Sequence, residues 1–202
     1  MFIVATTRLT TGFVPDTRFI MSHIITFMLR YAGNHKYMSK EQYSNLNEHV
    51  QLVMKAHEGD VRGWDMETPY AIHPLLCSMT IYRETTLPKQ IRDEGPIVLL
   101  YHDILEDTKL NLPDNLTPGE VDGIIQMTFT GMTQEVVDVW SRAPKIRLYK
   151  LYDKISNLLD SSWMTPEIIE IYTSYTKKLL EDVEQNYGQL NITRIARAIL
   201  YK

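Results

Sequence analysis

Pro74, Pro88, Pro96, Pro118, Pro144 and Pro166 divide this chain into helix-length pieces, and no other feature constrains its fold as much. A proline lacks the N–H that a helix interior needs, yet it fits the first turn, where that N–H has no partner anyway. Each of these positions therefore reads as a helix start. Pro74 sits at a first helical position and leaves His73 at the cap, while Pro88 and Gly95-Pro96 bracket a short helix and start the next. Asn111 to Pro118 reads as a turn-rich connection. Thr117-Pro118-Gly119-Glu120 opens a helix to about Thr128, and Thr133 opens another to about Arg142. Pro144 precedes a helix from Lys145 to about Leu159; Thr165-Pro166-Glu167 begins a long one to Tyr187, closed by Gly188. Ile192, Ile195, Ala196, Ile199 and Leu200 recur with helical period and mark a last helix. Upstream, Ser39 with Gln42 resembles a capping box for a helix from Lys40 to about Glu58, stopped by Gly59. Asp16 can cap a helix running to Tyr31, and residues 1–14 read as an extended arm or ragged start. The expectation is an all-α fold.

Nothing divides the chain further. It has 202 residues, no internal repeat and no low-complexity tract, so a single domain over residues 1–202 is expected. The net charge of −4 supplies no global field that attracts nucleic acid, although a few local cations suffice to hold a small anionic substrate. One cysteine, Cys77, cannot form an intramolecular disulfide and fits a reducing compartment; in an apolar helix it reads as a buried, inert thiol. No uninterrupted apolar run reaches the ~18 residues of a membrane span. Phe19 to Ala32 comes nearest, but His23 and Arg30 interrupt it and its flank lacks the basic start of a secretory signal. A cytoplasmic protein without nucleic-acid or membrane partners is expected, and a homo-oligomer is left open.

The chemistry starts at Tyr101-His102-Asp103-Ile104-Leu105-Glu106-Asp107-Thr108, straight after the apolar run Ile97-Val98-Leu99-Leu100. On a helix, His102 and Glu106 are i,i+4 neighbours, and so are Asp103 and Asp107. Metal-ligand types and proton-handling carboxylates would then project together, as a divalent ion activating water requires. Two other segments offer ligands. His73 lies in Thr68-Pro69-Tyr70-Ala71-Ile72-His73-Pro74, 29 residues before His102, and Asp153 lies in Lys150-Leu151-Tyr152-Asp153-Lys154-Ile155-Ser156-Asn157-Leu158, fifty residues after Asp103. Two histidines and two aspartates suit a hard-to-borderline ion such as Mn²⁺ and leave positions open for water and substrate. The lack of a Cys-rich set argues against structural zinc.

The order His…His-Asp…Asp resembles that of the HD-domain metal-dependent phosphohydrolases. Together with Ala56-His57-Glu58-Gly59-Asp60-Val61-Arg62, these motifs look like the hydrolase domain of the RelA/SpoT homologues. The likeness runs over about residues 46–159, leaving residues 1–45 as an N-terminal extension and 160–202 as C-terminal helices. No segment resembles the synthetase or regulatory domains of long family members, so the chain resembles a small, hydrolase-only form. The resemblance implies an HD-domain helical bundle that binds Mn²⁺, or another divalent ion, and removes the 3′-pyrophosphate of (p)ppGpp. It implies metal ligation by His73, His102, Asp103 and Asp153. Glu106 and Asp107 become the pair that orients and deprotonates the attacking water. Arg62 would face the nucleotide or its phosphates, Asn157 the ribose or a phosphate, and Lys150 and Lys154 would neutralise phosphate.

Two departures keep other readings open. The loop Arg62-Gly63-Trp64-Asp65-Met66-Glu67 carries one arginine where many relatives have a more basic run, and the stretch between Asp107 and Lys150 is compressed. One alternative is a nucleotide phosphohydrolase acting on dNTPs or nucleoside monophosphates. Another is a non-catalytic nucleotide-binding protein of the same fold. His57 reads as support for the loop, and His23, His35 and His49 as structural or surface residues. Tyr172 and Tyr175, with Ile168, Ile171 and Leu179, read as a core stripe.

Overall fold

Among residues 40–201, which a computed structural model describes with side chains from residue 46, regular structure is helical apart from one isolated antiparallel bridge, Val61 to Pro69. In chain order the elements are α1 (Lys40–Ala56), α2 (Ile72–Tyr82), α3 (Lys89–Tyr101), α4 (Ile104–Asp107) and α5 (Pro118–Met127). Then come α6 (Met132–Asp138), a 3₁₀ turn (Val139–Ser141), α7 (Pro144–Leu159), α8 (Pro166–Tyr187) and α9 (Asn191–Leu200). The arm and helix expected upstream, with His23, His35 and the Ser39 cap, lie outside the described residues. Residues Asn45–Lys202 pack as one compact unit. No helix among the described residues is long and apolar enough to cross a membrane.

Local signals place several helix ends. At α5, the Thr117 side chain accepts from the Glu120 amide while the Glu120 carboxylate accepts from the Thr117 amide, a reciprocal capping box. Pro144 and Pro166 fall in the first turns of α7 and α8, and Gly188 ends α8 with φ of +72°. Elsewhere packing overrides the local signal. α2 begins before Pro74, because the amides of Ile72 and His73 already bond the carbonyls of Pro69 and Tyr70. His73 therefore lies inside the first turn rather than at the cap.

The larger correction is at Gly95-Pro96, where no helix starts: α3 runs straight through. A proline there removes one intrahelical hydrogen bond, a cost of ~3 kcal/mol. The buried face formed by Ile91 and Ile97 to Leu100 offsets it, at ~1.5–3 kcal/mol for each fully buried aliphatic side chain. Gly95 makes the packing possible. A Cβ there would meet Ile81 Cδ1 at 2.8 Å and Tyr149 Cε1 at 3.2 Å, so α3 lies against both α2 and α7.

α7 is the central element and packs on α2, α3, α5, α8 and α9. A surface helix buries one stripe, but α7 buries nearly every side chain from Ile146 to Ser156, including Lys150, Asp153 and Lys154. An unpaired ion in such a place costs several kcal/mol. Partners for these three charges are therefore obligatory, and they define the site. On α8, Tyr175 and Leu179 are buried as expected, whereas Ile168 and Ile171 are exposed and Tyr172 turns toward a cleft beside α7.

Candidate metal centre

The octet after α3 is not one helix. α3 ends at Tyr101, His102 and Asp103 form a helical-geometry turn, and α4 carries Ile104 to Asp107. The amide of Asp107 still bonds the Asp103 carbonyl at 2.8 Å, so the i,i+4 bond survives for that pair, whereas the Glu106 amide bonds Asp103 at 3.2 Å rather than His102. His102 and Asp103 point inward, toward His73 on α2 and Asp153 on α7.

These four side chains converge. The Nε2 atoms of His73 and His102 are 3.1 Å apart. Asp103 Oδ1 lies 3.1 Å from His102 Nε2, and its Oδ2 lies 3.4 Å from His73 Nε2. Asp153 Oδ1 lies 3.5 Å from His73 Nε2 and 3.8 Å from His102 Nε2. Ligand atoms held at ~2.0–2.2 Å from one ion are separated by about this much. The far sides of the rings are also held. His102 Nδ1 donates to the Leu99 carbonyl at 2.7 Å, which leaves its neutral-form lone pair on Nε2; His73 Nδ1 lies 2.8 Å from Ser156 Oγ. Such outer partners fix the tautomer and aim of metal-binding imidazoles.

Electrostatics make the same point. Burial disfavours a charged His73 and lowers its pKa. Burial also opposes charge on His102, but Asp103 and Asp153 outweigh it and push the pKa up to about 9. Asp103 is held below the usual carboxylate range despite burial, by the two imidazoles; Lys154 and Lys150 hold Asp153 well below it. Two imidazole nitrogens and two ionised carboxylates thus demand positive charge at their centre, from a proton or from a metal ion. The residues fit a divalent ion.

A cleft of ≈ 290 Å³ opens beside this centre. The eight predicted site residues other than the two histidines reach it: Arg62, Asp103, Glu106, Asp107, Lys150, Asp153, Lys154 and Asn157 line its wall. Glu106 and Asp107 are exposed to it, and burial of their carboxyls raises both pKa values. They are held differently. Glu106 accepts from the Phe129 amide at 2.7 Å, whereas Asp107 accepts from the Tyr70 hydroxyl at 3.1 Å. The same hydroxyl lies 2.8 Å from Asp103 Oδ2, linking Asp103 to Asp107.

Arg62 is not a free loop cation. The bridge at Val61–Pro69 and the Arg62 amide bonding Thr68 O at 2.8 Å turn its side chain inward. There it pairs with Asp160, donates to Asn157 Oδ1 at 3.0 Å and lies over the Tyr70 ring. Asn157 in turn donates to Asp153 Oδ1 at 2.7 Å. The two therefore form a chain ending on Asp153, with their outer edges on the cleft. Lys150 and Lys154, 2% and 5% exposed, pair with Asp153 Oδ2 at 3.4 and 3.1 Å. Their second partner is Glu135 of α6, at 3.1 and 3.0 Å.

Tyr70, Glu135, Ser156, Asp160 and Trp163 were not among the expected site residues. Tyr70 and Ser156 lie inside motifs already singled out, so their position was a usable signal. Glu135 is a lone acid in a short helix and carries none. His57 packs on Tyr70 with ring centroids 4.7 Å apart and lies near Asp60, in the supporting role expected; His49 bonds Tyr101 and is structural.

No protein-family model matches the chain, and no curated protein matches it. Among solved structures it is similar to a metazoan orthologue of SpoT described as hydrolysing ppGpp and playing a role in starvation responses. The TM-score is 0.60 at 21% identity, over 82% of this chain and 96% of that one. The fold is therefore the all-α HD-domain bundle that the motifs imply.

Proposed function

We propose that the protein is a metal-dependent phosphohydrolase that removes the 3′-pyrophosphate of (p)ppGpp, giving GDP or GTP and pyrophosphate. The observation that carries this is the triad His73, His102 and Asp153, whose ligand atoms lie close enough to share one ion, with Asp103 within 3.4 Å of both imidazoles, beside a cleft lined by two lysines and two solvent-facing carboxylates. The shared fold with a protein described as hydrolysing ppGpp supports this choice of substrate. Mn²⁺ is the ion we assign, on the mixed imidazole and carboxylate set.

A divalent ion held by the four ligands would acidify a bound water and draw charge from a phosphoryl oxygen. The chain's own residues do the rest. Asp107 and Glu106, with raised pKa values, accept the water's proton as its oxygen bonds to phosphorus. The bond from phosphorus to the ribose 3′ oxygen breaks, and that oxygen takes up a proton. Lys150 and Lys154, kept protonated despite burial by Asp153 and Glu135, face the anionic ligand. Arg62 and Asn157 hold Asp153 in place and present their outer edges to the nucleotide. The cytoplasm, where buried Cys77 stays reduced, is the compartment we assign.

The test is incubation with Mn²⁺ and a panel of ppGpp, dNTPs and nucleoside monophosphates. Pyrophosphate release from ppGpp is expected, and Glu106→Gln should cut it by on the order of 10²-fold. Turnover of a dNTP without pyrophosphate release from ppGpp would replace the substrate assignment. Binding of ppGpp with no turnover would make the protein a nucleotide-binding module.

A further inference from the structure

Four buried charges meet at the cleft wall, with Asp153, Lys150 and Lys154 lining it and Glu135 behind them. Their arrangement is unequal. Asp153 divides its oxygens, with Oδ1 facing the imidazoles and Asn157 and Oδ2 facing the lysines. Glu135 faces neither the imidazoles nor the cleft lining, and meets both ammonium groups from the side of α6. Glu135 Oε1 lies 3.0 Å from Lys154 and Oε2 lies 3.1 Å from Lys150, so each of its oxygens holds one lysine.

We propose that Glu135 is a positioning residue that divides the two lysines between the metal ligand Asp153 and an incoming phosphate. This deepens the phosphohydrolase reading and rests on it. With Glu135 present, the four groups are electrically balanced and Asp153 remains available to the ion. Without it, both lysines have Asp153 as their one buried counter-charge, and they compete with the metal for that carboxylate. The cleft wall also gains one unbalanced positive charge, which attracts anions more strongly. The two effects have opposite signs. A merely structural carboxylate would not produce that split, because loosening the bundle weakens both kinds of binding.

Glu135→Gln is the test, with Mn²⁺ and inorganic pyrophosphate as separate titrants on the full chain. Groups sharing one buried network couple strongly enough that shifts of about tenfold are expected. Mn²⁺ binding should weaken by about tenfold, while pyrophosphate binding tightens by about threefold to tenfold. Any other pattern overturns the proposal: both weakened, both unchanged, or one unmoved. If Glu135→Gln does not fold, Glu135→Asp carries the test, since it keeps the charge between the two lysines. It should bind Mn²⁺ within about threefold of the parent, and a tenfold loss there overturns the proposal as well. Neither titration uses ppGpp, so failure of the substrate assignment would leave this result readable.

Discussion

Consecutive residues of α7, Tyr152 and Asp153, meet two buried carboxylate environments that differ in kind. Glu84, just past α2, accepts from the Tyr152 hydroxyl at 3.2 Å and the Ile192 amide at 2.9 Å on one oxygen, and from Asn191 at 3.1 Å on the other. Neutral donors surround it, and it clamps the start of α9, where a helix N-terminus favours an anion. Asp153 is surrounded instead by two lysines, two imidazole nitrogens and the open cleft. Burial of charge does not distinguish a structural site from a functional one. What distinguishes them is whether the donors present satisfy the acceptors. Around Glu84 they do. Around Asp153 the donors to Oδ2 are themselves charged, and Oδ1 turns toward two imidazole nitrogens placed where one cation could meet all three.

Three substitutions separate the regions, in order of expected effect. His102→Ala should lower metal affinity by more than the ~10–100-fold that follows loss of an outer-shell partner, measured by metal titration. Retention of parental affinity would remove His102 from the centre and merge the two environments. Glu84→Gln should leave metal affinity alone and lower stability by ~1–3 kcal/mol, measured by urea unfolding. A parallel loss of metal binding would show that the clamp and the centre are one unit.

Tyr70→Phe should have the smallest effect, about threefold on kcat/KM, with a diagnostic pH dependence. Asp107 is raised by burial and by Asp103, and the Tyr70 hydrogen bond counters this. As a base Asp107 works when ionised, so activity falls as pH drops through its pKa. Removing the hydroxyl raises that pKa further and moves the acidic limb of the profile to higher pH. A limb that stays in place would show that Tyr70 does not tune Asp107.

What could be read from the sequence depended on how far its cause lay along the chain. The Thr117 box, the Pro144 and Pro166 starts and the Gly188 stop are settled within four residues and were legible. Pro96 was not, because its tolerance comes from Ile81 and Tyr149, neighbours distant in sequence that receive α3 at Gly95. The four ligand candidates were legible because their chemistry is rare in that order, and the fold brings them together. Their supports were less so. Leu99 contributes only a carbonyl, Ser156 is an ordinary helical serine, and Glu135 gains meaning only when α6 meets α7. Arg62 shows a subtler limit: its place at the cleft was legible, but its engagement by Asp160 and Asn157 was not.

Gly63 sits on the loop between α1 and α2, and the indole of Trp163, from the loop between α7 and α8, lies against it. A Cβ at position 63 would come within 2.7 Å of Trp163 Cδ1 and 2.8 Å of Cγ. Both residues line the cleft, so this part of its wall depends on a missing carbon atom. A single methyl group at 63 would act as a wedge against the base of a rigid ring, prying the two loops apart. The room on that wall is thereby set by a residue that offers no side chain to bind anything.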